Sequence, residues 1–410
     1  MKLGPVLLLA GLVTVSHLRA QAAAGDKGGK PLAIQAARFL VVSGDPVDSG
    51  VMIVKDGKIL ALGPRTSVPV PQDAEVRDLG ELWVSPGFVD LHHHVSAGGG
   101  DINDMQHPIN AELRTLDTIK PTARLIRRTV SGGVTTTLFI PGSGTNISGF
   151  GVLMKMVPDD FEHQIVREIG AMKVAQGFNP ERRNGDMGAT RMGSSWLLTK
   201  TLLEAKQYAL AWHLFEQGKG QRPTSRPDLE QLRLVADKKV PVLIHTAGAR
   251  DIAATARMFQ DVFDVWMILS HGCFNGHWAA ICCAKRKTPV NLGPRNYEFR
   301  DSEFVGIPRT YWDAGVRDMS LNTDAPVVAP EQLQLQGAMA ARLGLEYEPT
   351  LKALTLVPAR QVGLADRVGS LEAGKDADLQ VTKGDPLDPR NSPELVFIEG
   401  RLVYRKGDVR

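Results

Sequence analysis

The sequence predicts an α/β protein: a (β/α)8 TIM barrel over residues 86–365, with a small discontinuous β-sandwich domain built from both chain ends, 31–85 and 366–410. Three observations predict it. Between 86 and 365, eight apolar runs alternate with helix-like segments, at 88–91, 134–140, 152–156, 169–174, 240–245, 266–270, 288–292 and 319–322. Near-continuous apolar strands separated by helices read as a parallel sheet buried on both faces, and eight such units fit a closed barrel. The two chain ends share another texture, short strands joined by the turns Asp56-Gly57 and Glu399-Gly400. Polar residues of chemical interest fall at the carboxyl ends of the barrel runs, where this fold carries its active site.

The N-terminus looks like an export signal over 1–22. Lys2 is followed by the apolar run 5–13, and Ala20-Gln21-Ala22 offers small residues for cleavage near Ala22. That run is too short to span a bilayer. A periplasmic or secreted location is expected, with no membrane attachment after cleavage. The 410 residues are 43% hydrophobic and 23% charged, enough for a large core and more than one compact domain. The formal charge of +3 falls to 46 basic against 45 acidic groups once Lys2 and Arg19 leave. Such a balance gives no reason to expect nucleic acid or an acidic membrane as partner. Cys273, Cys282 and Cys283 are odd in number and lack zinc-knuckle spacing, so they are expected as buried free thiols.

The first barrel run leaves a Pro86-Gly87 turn and ends in Leu91-His92-His93-His94. Side chains two apart on a strand share a face, so His92 and His94 point together while His93 points away. His245 ends the fifth run, His271 the sixth and Asp324 the eighth. One histidine at a strand end is usually a satisfied polar residue. Five donors at barrel-consistent ends point to a divalent-metal site. Lys173 lies within the apolar fourth run, where a charged amine is costly unless neutralised or paired. Lys155, on the third run, is its rival.

The chain resembles the amidohydrolase superfamily of metal-dependent hydrolases, and within it the exported bacterial proteins related to imidazolonepropionase. The resemblance rests on Pro-Gly-Phe-Val-Asp-x-His-x-His at 86–94, Gly-Gly-Val-Thr-Thr-Thr at 132–137, the segment between them (101–104, Pro108, 112–117), the return run 369–379, and Gly400-Arg401-Leu402-Val403. It covers about 31–408. It implies that His92 and His94 hold the more buried ion. His245 and His271 would hold a second ion, or orient substrate if only one is present. Asp324 would ligate the first ion and take the proton from a bound water. It also places a carboxylated lysine bridge at Lys173. Zinc suits these ligands, as do iron and manganese. The chain departs from the group at Phe178, where Gly-Glu-Asn-Pro is usual and Gly177-Phe178-Asn179-Pro180 stands. Adenosine-deaminase-like members carry a glutamate three residues after the fifth-strand histidine; here that position is Gly248.

The expected activity is hydrolysis of a cyclic or non-terminal C–N bond in a small amide or dipeptide-like substrate, by metal-activated hydroxide. The alternatives are an Xaa-Pro or Xaa-Arg type dipeptidase and a barrel that binds without catalysing. A homo-oligomer is compatible with the sequence. His107, His163, His213 and His277 are expected to be structural or surface residues, and Arg295 and Tyr297 either line the pocket or lie on a surface loop.

Overall fold

A computed structural model describes residues 29–97, 100–182, 187–246 and 248–408. The expected export signal lies outside the described residues. The chain begins in a sheet of β1 (Leu32–Phe39), β2 (Val47–Lys55), β3 (Lys58–Pro64), β4 (Glu75–Asp78) and β5 (Trp83–Pro86). The β2–β3 hairpin turns on Asp56 and Gly57, with φ of 49° and 78°. Two left-handed residues are what a two-residue hairpin needs to match strand twist.

From the other end come β16 (Leu379–Thr382), β17 (Leu395–Ile398) and β18 (Arg401–Arg405). They join in the order β18-β17-β16-β5-β1-β2-β3, with β4 also paired to β1. Hydrogen bonds thus link all eight strands in one forked sheet, where a sandwich of two layers was expected. The fork lies on β1, which pairs β4 along its first half and β5 at its end. Ile34, Phe39, Met52, Val84, Leu379 and Phe397 form its core.

The second sheet is a nearly closed TIM-barrel-like ring. Its strands are β6 (Phe88–His93), β7 (Val134–Phe139), β8 (Ile147–Lys155), β9 (Ile165–Ala175), β10 (Val242–Thr246), β11 (Met267–His271), β12 (Val290–Leu292) and β15 (Met319–Leu321). A parallel bridge between His93 and Ala325 brings the last strand back to the first. A separate hairpin, β13 (Tyr297–Arg300) and β14 (Glu303–Gly306), precedes β15.

One expectation is corrected. β8 runs antiparallel to both β7 and β9, so the third unit of the barrel is not a β/α repeat. The connections 140–146 and 156–164 explain it. A parallel crossover needs about a dozen residues or more, whereas antiparallel neighbours can be joined by a short loop.

The reversal sends the end of β8 to the opposite side of the barrel from the strand-end histidines. Lys155 there meets the terminal sheet. Its Nζ lies 2.6 Å from Asp376 Oδ2, 2.9 Å from Glu399 Oε1 and 3.1 Å from Asp378 Oδ1. Arg367 and Lys58 also pair with Asp376. Burial alone would push the Lys155 ammonium down; the three carboxylates hold it above its ordinary value. The covalent junction is equally tight, because Gly87 alone separates β5 from β6. A Cβ at Gly87 would sit 2.1 Å from Thr135 Oγ1.

Lys155→Met would leave Asp378 buried without a cation. It is expected to cost about 3–5 kcal/mol in urea unfolding while the folded fraction keeps its metal content. A loss below about 1 kcal/mol would remove this network from the account of stability.

Candidate metal centre

β6 and the residue that follows it deliver three imidazoles to two places. His93 turns outward, with Nε2 3.3 Å from Thr129 Oγ1, and burial pushes its pKa down to about 3. His92 and His94 turn inward, and the Nε2 of each lies 3.3 Å from Asp324 Oδ1. Asp324 lies just beyond β15, in a left-handed turn with φ of 50°. Buried Asp90 holds that turn: it accepts from Thr323 Oγ1 at 2.5 Å and from the Thr323 and His92 amides. Burial and the charge of Asp324 raise the Asp90 pKa to about 7, against those hydrogen bonds.

The other ring nitrogens set the tautomers. His94 Nδ1 donates to the Ile140 carbonyl at 2.9 Å, and His271 Nδ1 to the Gly293 carbonyl at 2.9 Å. A carbonyl only accepts, so in the neutral rings Nε2 of each carries the lone pair. His92 Nδ1 lies 2.6 Å from Ser270 Oγ. His271 Nε2 faces His245 Nδ1 at 2.7 Å. With Nε2 of His271 unprotonated, His245 is the donor of that pair.

His271 reaches the site through its backbone. Ser270 points inward to His92, so regular alternation would turn His271 outward. A φ of 77° at His271 brings its ring back to His92, with centroids 4.4 Å apart. A left-handed non-glycine residue costs on the order of 1–3 kcal/mol and concentrates at functional sites. Lys173, fully buried on β9, places Nζ 2.9 Å from His92 Nε2. Burial lowers its pKa to about 7, with Asp324 pulling the other way. Burial and the neighbouring Lys173, His271, His94 and His245 push His92 well below its ordinary value. Burial would raise Asp324, but His271, His94 and Lys173 hold it below the usual carboxylate range.

The structure therefore brings His92, His94, Lys173, His245, His271 and Asp324 together. His92, His271 and Asp324 offer ligand atoms within 4.8 Å of one another. Neutral imidazole nitrogens and an ionised carboxylate converging at a largely buried strand end are a donor set that fits a divalent ion of the zinc type. Lys155 is not part of the set. Phe178 is more than half exposed, with φ of 60°, and its amide donates to Glu181 Oε1 at 3.0 Å. A phenyl ring carries no oxygen donor in place of the glutamate usual there. Cys273 is a free thiol, and burial pushes its pKa up to about 12. His277 is paired with Glu298 at 2.9 Å.

Two supporting residues were not singled out from sequence, Asp90 and Ser270. Each is a polar side chain inside an apolar strand run, a position that demands a partner. Behind Ser270 a buried chain continues to Asn291, Ser320 and Gln361, the last two links at 2.7 and 2.6 Å.

Fold and mouth chemistry place the chain among barrel hydrolases. The amidohydrolase family profile matches residues 220–404. A crystal structure of an amidohydrolase from Thermotoga maritima superposes with a TM-score of 0.83 at 30% identity, covering 92% of this chain and all of that one. Amidohydrolase tasK of Hapsidospora irregularis is 27% identical over 92% of this chain, which spans only 44% of that protein. The imidazolonepropionase of Mesorhizobium japonicum is 25% identical, over 86% of this chain and 90% of that one. The chain belongs to the amidohydrolase superfamily, on its imidazolonepropionase-related side, and is a hydrolase acting on carbon–nitrogen bonds.

Ser270→Ala removes the partner of His92 Nδ1 without touching a ligand atom. Metal affinity is expected to fall roughly ten- to a hundredfold in a competition titration with a chromogenic chelator, the usual effect of losing such a partner. An unchanged affinity would show that Ser270 does not set the His92 ring.

Proposed function

We propose that the chain hydrolyses a cyclic or non-terminal amide-like C–N bond of a small molecule, with a divalent metal held by His92, His94, Lys173, His245, His271 and Asp324. The observation that carries this reading is the placing of Nε2 of both His92 and His94 3.3 Å from one oxygen of Asp324. When bound there, such an ion would acidify a water toward pKa ~7 and polarise the scissile carbonyl.

The protein's own groups do the rest. Asp324, held as a carboxylate, receives the water proton as the C–O bond forms, and delivers it to the leaving nitrogen as the C–N bond breaks. His271, fixed through Gly293, faces the same space and orients the carbonyl or a second ion. Burial lowers the Lys173 pKa to about 7, so a sizeable fraction of its amine is unprotonated at neutral pH. That amine can add to carbon dioxide with loss of a proton, giving a carbamate with two oxygen donors. Zinc is the proposed ion; iron and manganese accept the same donors. The leader-like N-terminus supports a periplasmic or secreted location.

An Xaa-Pro or Xaa-Arg type dipeptidase is the second reading, and the buried amine at Lys173 favours it, since a bridging carbamate suits a two-ion site. Both readings require tightly bound metal. Elemental analysis showing no bound divalent ion in protein purified without chelator would leave a barrel that binds without catalysing.

Asp324→Asn is expected to keep the fold and lose turnover by at least about a hundredfold, read in a screen of N-acyl amino acids, dipeptides and cyclic amides. Undiminished turnover would reject Asp324 as the proton carrier. After incubation with 13C-bicarbonate, a carbamate carbon resonance is expected in the wild type and absent in Lys173→Arg. Its absence from metal-loaded wild type would exclude the bridge.

A further inference from the structure

Beside the cluster, a cleft of about 400 Å³ opens between the segments that follow β11, β12 and β15. Its walls are continuous with the site residues. Phe274 stands three residues after His271, and its ring lies 6.4 Å from that imidazole. Pro294 follows Gly293, whose carbonyl accepts from His271 Nδ1. The Val327 amide donates to the Asp324 carbonyl at 2.8 Å. The walls of this cleft therefore abut the residues of the centre.

The lining has two characters. Phe274, Tyr297, Val327, Leu335 and Met339 give it apolar walls, and all five are exposed. Apolar side chains gathered around a concavity mark a surface meant to be covered. Arg295 is exposed on the same wall and makes no ion pair among the described residues. Arg295 lies two residues after Gly293, whose carbonyl fixes His271, so the cation stands on the segment that aims a residue of the centre. Asn296 is 2% exposed; its amide nitrogen is committed to Gln336, and its Oδ1 has no hydrogen-bond partner among the described residues. The cleft thus offers an apolar wall and a cation without an ion pair among the described residues.

We propose that this cleft is the specificity subsite of the hydrolase, that it takes an apolar amino-acid residue ending in a free carboxylate, and that Arg295 holds that carboxylate. The substrate class is then an N-acyl amino acid or dipeptide whose C-terminal residue is hydrophobic. This rests on the amide-hydrolase reading above. The guanidinium fork matches a carboxylate in two parallel hydrogen bonds, which selects for the acid over its amide.

The test compares zinc-loaded wild type, Arg295→Gln and Arg295→Lys. The substrates are N-acetyl-L-leucine, its carboxamide, N-acetyl-L-phenylalanine and N-acetylglycine. Wild type is expected to prefer acid over carboxamide, and leucine or phenylalanine over glycine. Arg295→Gln should shrink the acid-to-carboxamide ratio of kcat/KM roughly ten- to a hundredfold, mainly through KM. Arg295→Lys, which keeps the charge but not the fork, should fall between.

A second arm needs no turnover: calorimetric binding of L-leucine and L-leucinamide to the same three proteins. If wild type hydrolyses none of the amides but binds leucine over leucinamide, and Arg295→Gln loses that margin, the subsite stands and the amide-hydrolase reading falls. The subsite is overturned if Arg295→Gln leaves both ratios unaltered, as it would if this surface were only a contact between copies. It is equally overturned if wild type neither hydrolyses nor binds any of these compounds.

Discussion

The barrel mouth sets lone pairs against lone pairs. His94 is tied through Nδ1 to the Ile140 carbonyl, so in the neutral ring its Nε2 faces Asp324 Oδ1 as acceptor against acceptor. His92 presents Nε2 to the same oxygen, and Lys173 stands behind it in a fully buried position. Burial drives His92, His271 and the Lys173 amine toward their neutral forms, leaving fewer protons to reconcile the contacts with Asp324. Either a proton or a metal cation must stand among the acceptors. Much of the surrounding structure follows from that need. Two left-handed residues, His271 and Asp324, aim groups that regular strands would turn elsewhere, and such strain persists only where the surroundings over-determine it. Asp90 and Thr323 hold the Asp324 turn, Gly293 holds His271, and Ser270 meets His92.

This centre is gripped from below. The chain from Ser270 through Asn291 and Ser320 to Gln361 crosses the barrel interior and ends on backbone and side-chain acceptors at Val290 and Asp318. Such a fully connected polar network inside a barrel rigidifies, whereas a partly satisfied one would be costly. At the far end, Lys155 and its carboxylates lock the barrel to the terminal sheet. A metal ion that binds only the folded arrangement adds its binding free energy to stability. On the metal-dependent reading proposed above, the strain at the mouth would be offset by the same event that makes the site active.

How much of this was legible follows from which forces act locally. Apolar runs and their helical spacers revealed the barrel, because strands buried on both faces must be apolar throughout. Strand-end position picked out His92, His94, His245, His271 and Asp324, because that fold exposes chemistry only there. The direction of β8 was not legible from its apolar residues, which are the same in either direction. The length of its connections carried that information. Lys155 and Lys173 look alike in sequence, each a lysine in an apolar strand. The reversal of β8 sends Lys155 to a carboxylate cluster, while β9, parallel to β10, carries Lys173 to the imidazoles. Nor could residue pattern show that His271 departs from alternation, since a backbone angle and not a residue type decides it.

The last consequence concerns how substrate fit and chemistry are linked. In a barrel, ligands sit on strands and selectivity sits on loops, which ordinarily lets the two vary independently. Here they are joined at two points. The carbonyl that fixes His271 belongs to Gly293, the residue before Pro294 in the cleft wall. The carbonyl of Asp324 accepts from Val327, which forms another part of that wall. A group pressing on Pro294 or Val327 therefore pulls on the hydrogen bonds that aim an imidazole and the carboxylate. Side chains that fill the cleft well keep both aimed, while poorly fitting ones disturb the reacting groups as well as the contact. Selectivity in such a site would appear in kcat and not only in KM, because the walls that recognise the substrate also hold the groups that act on it.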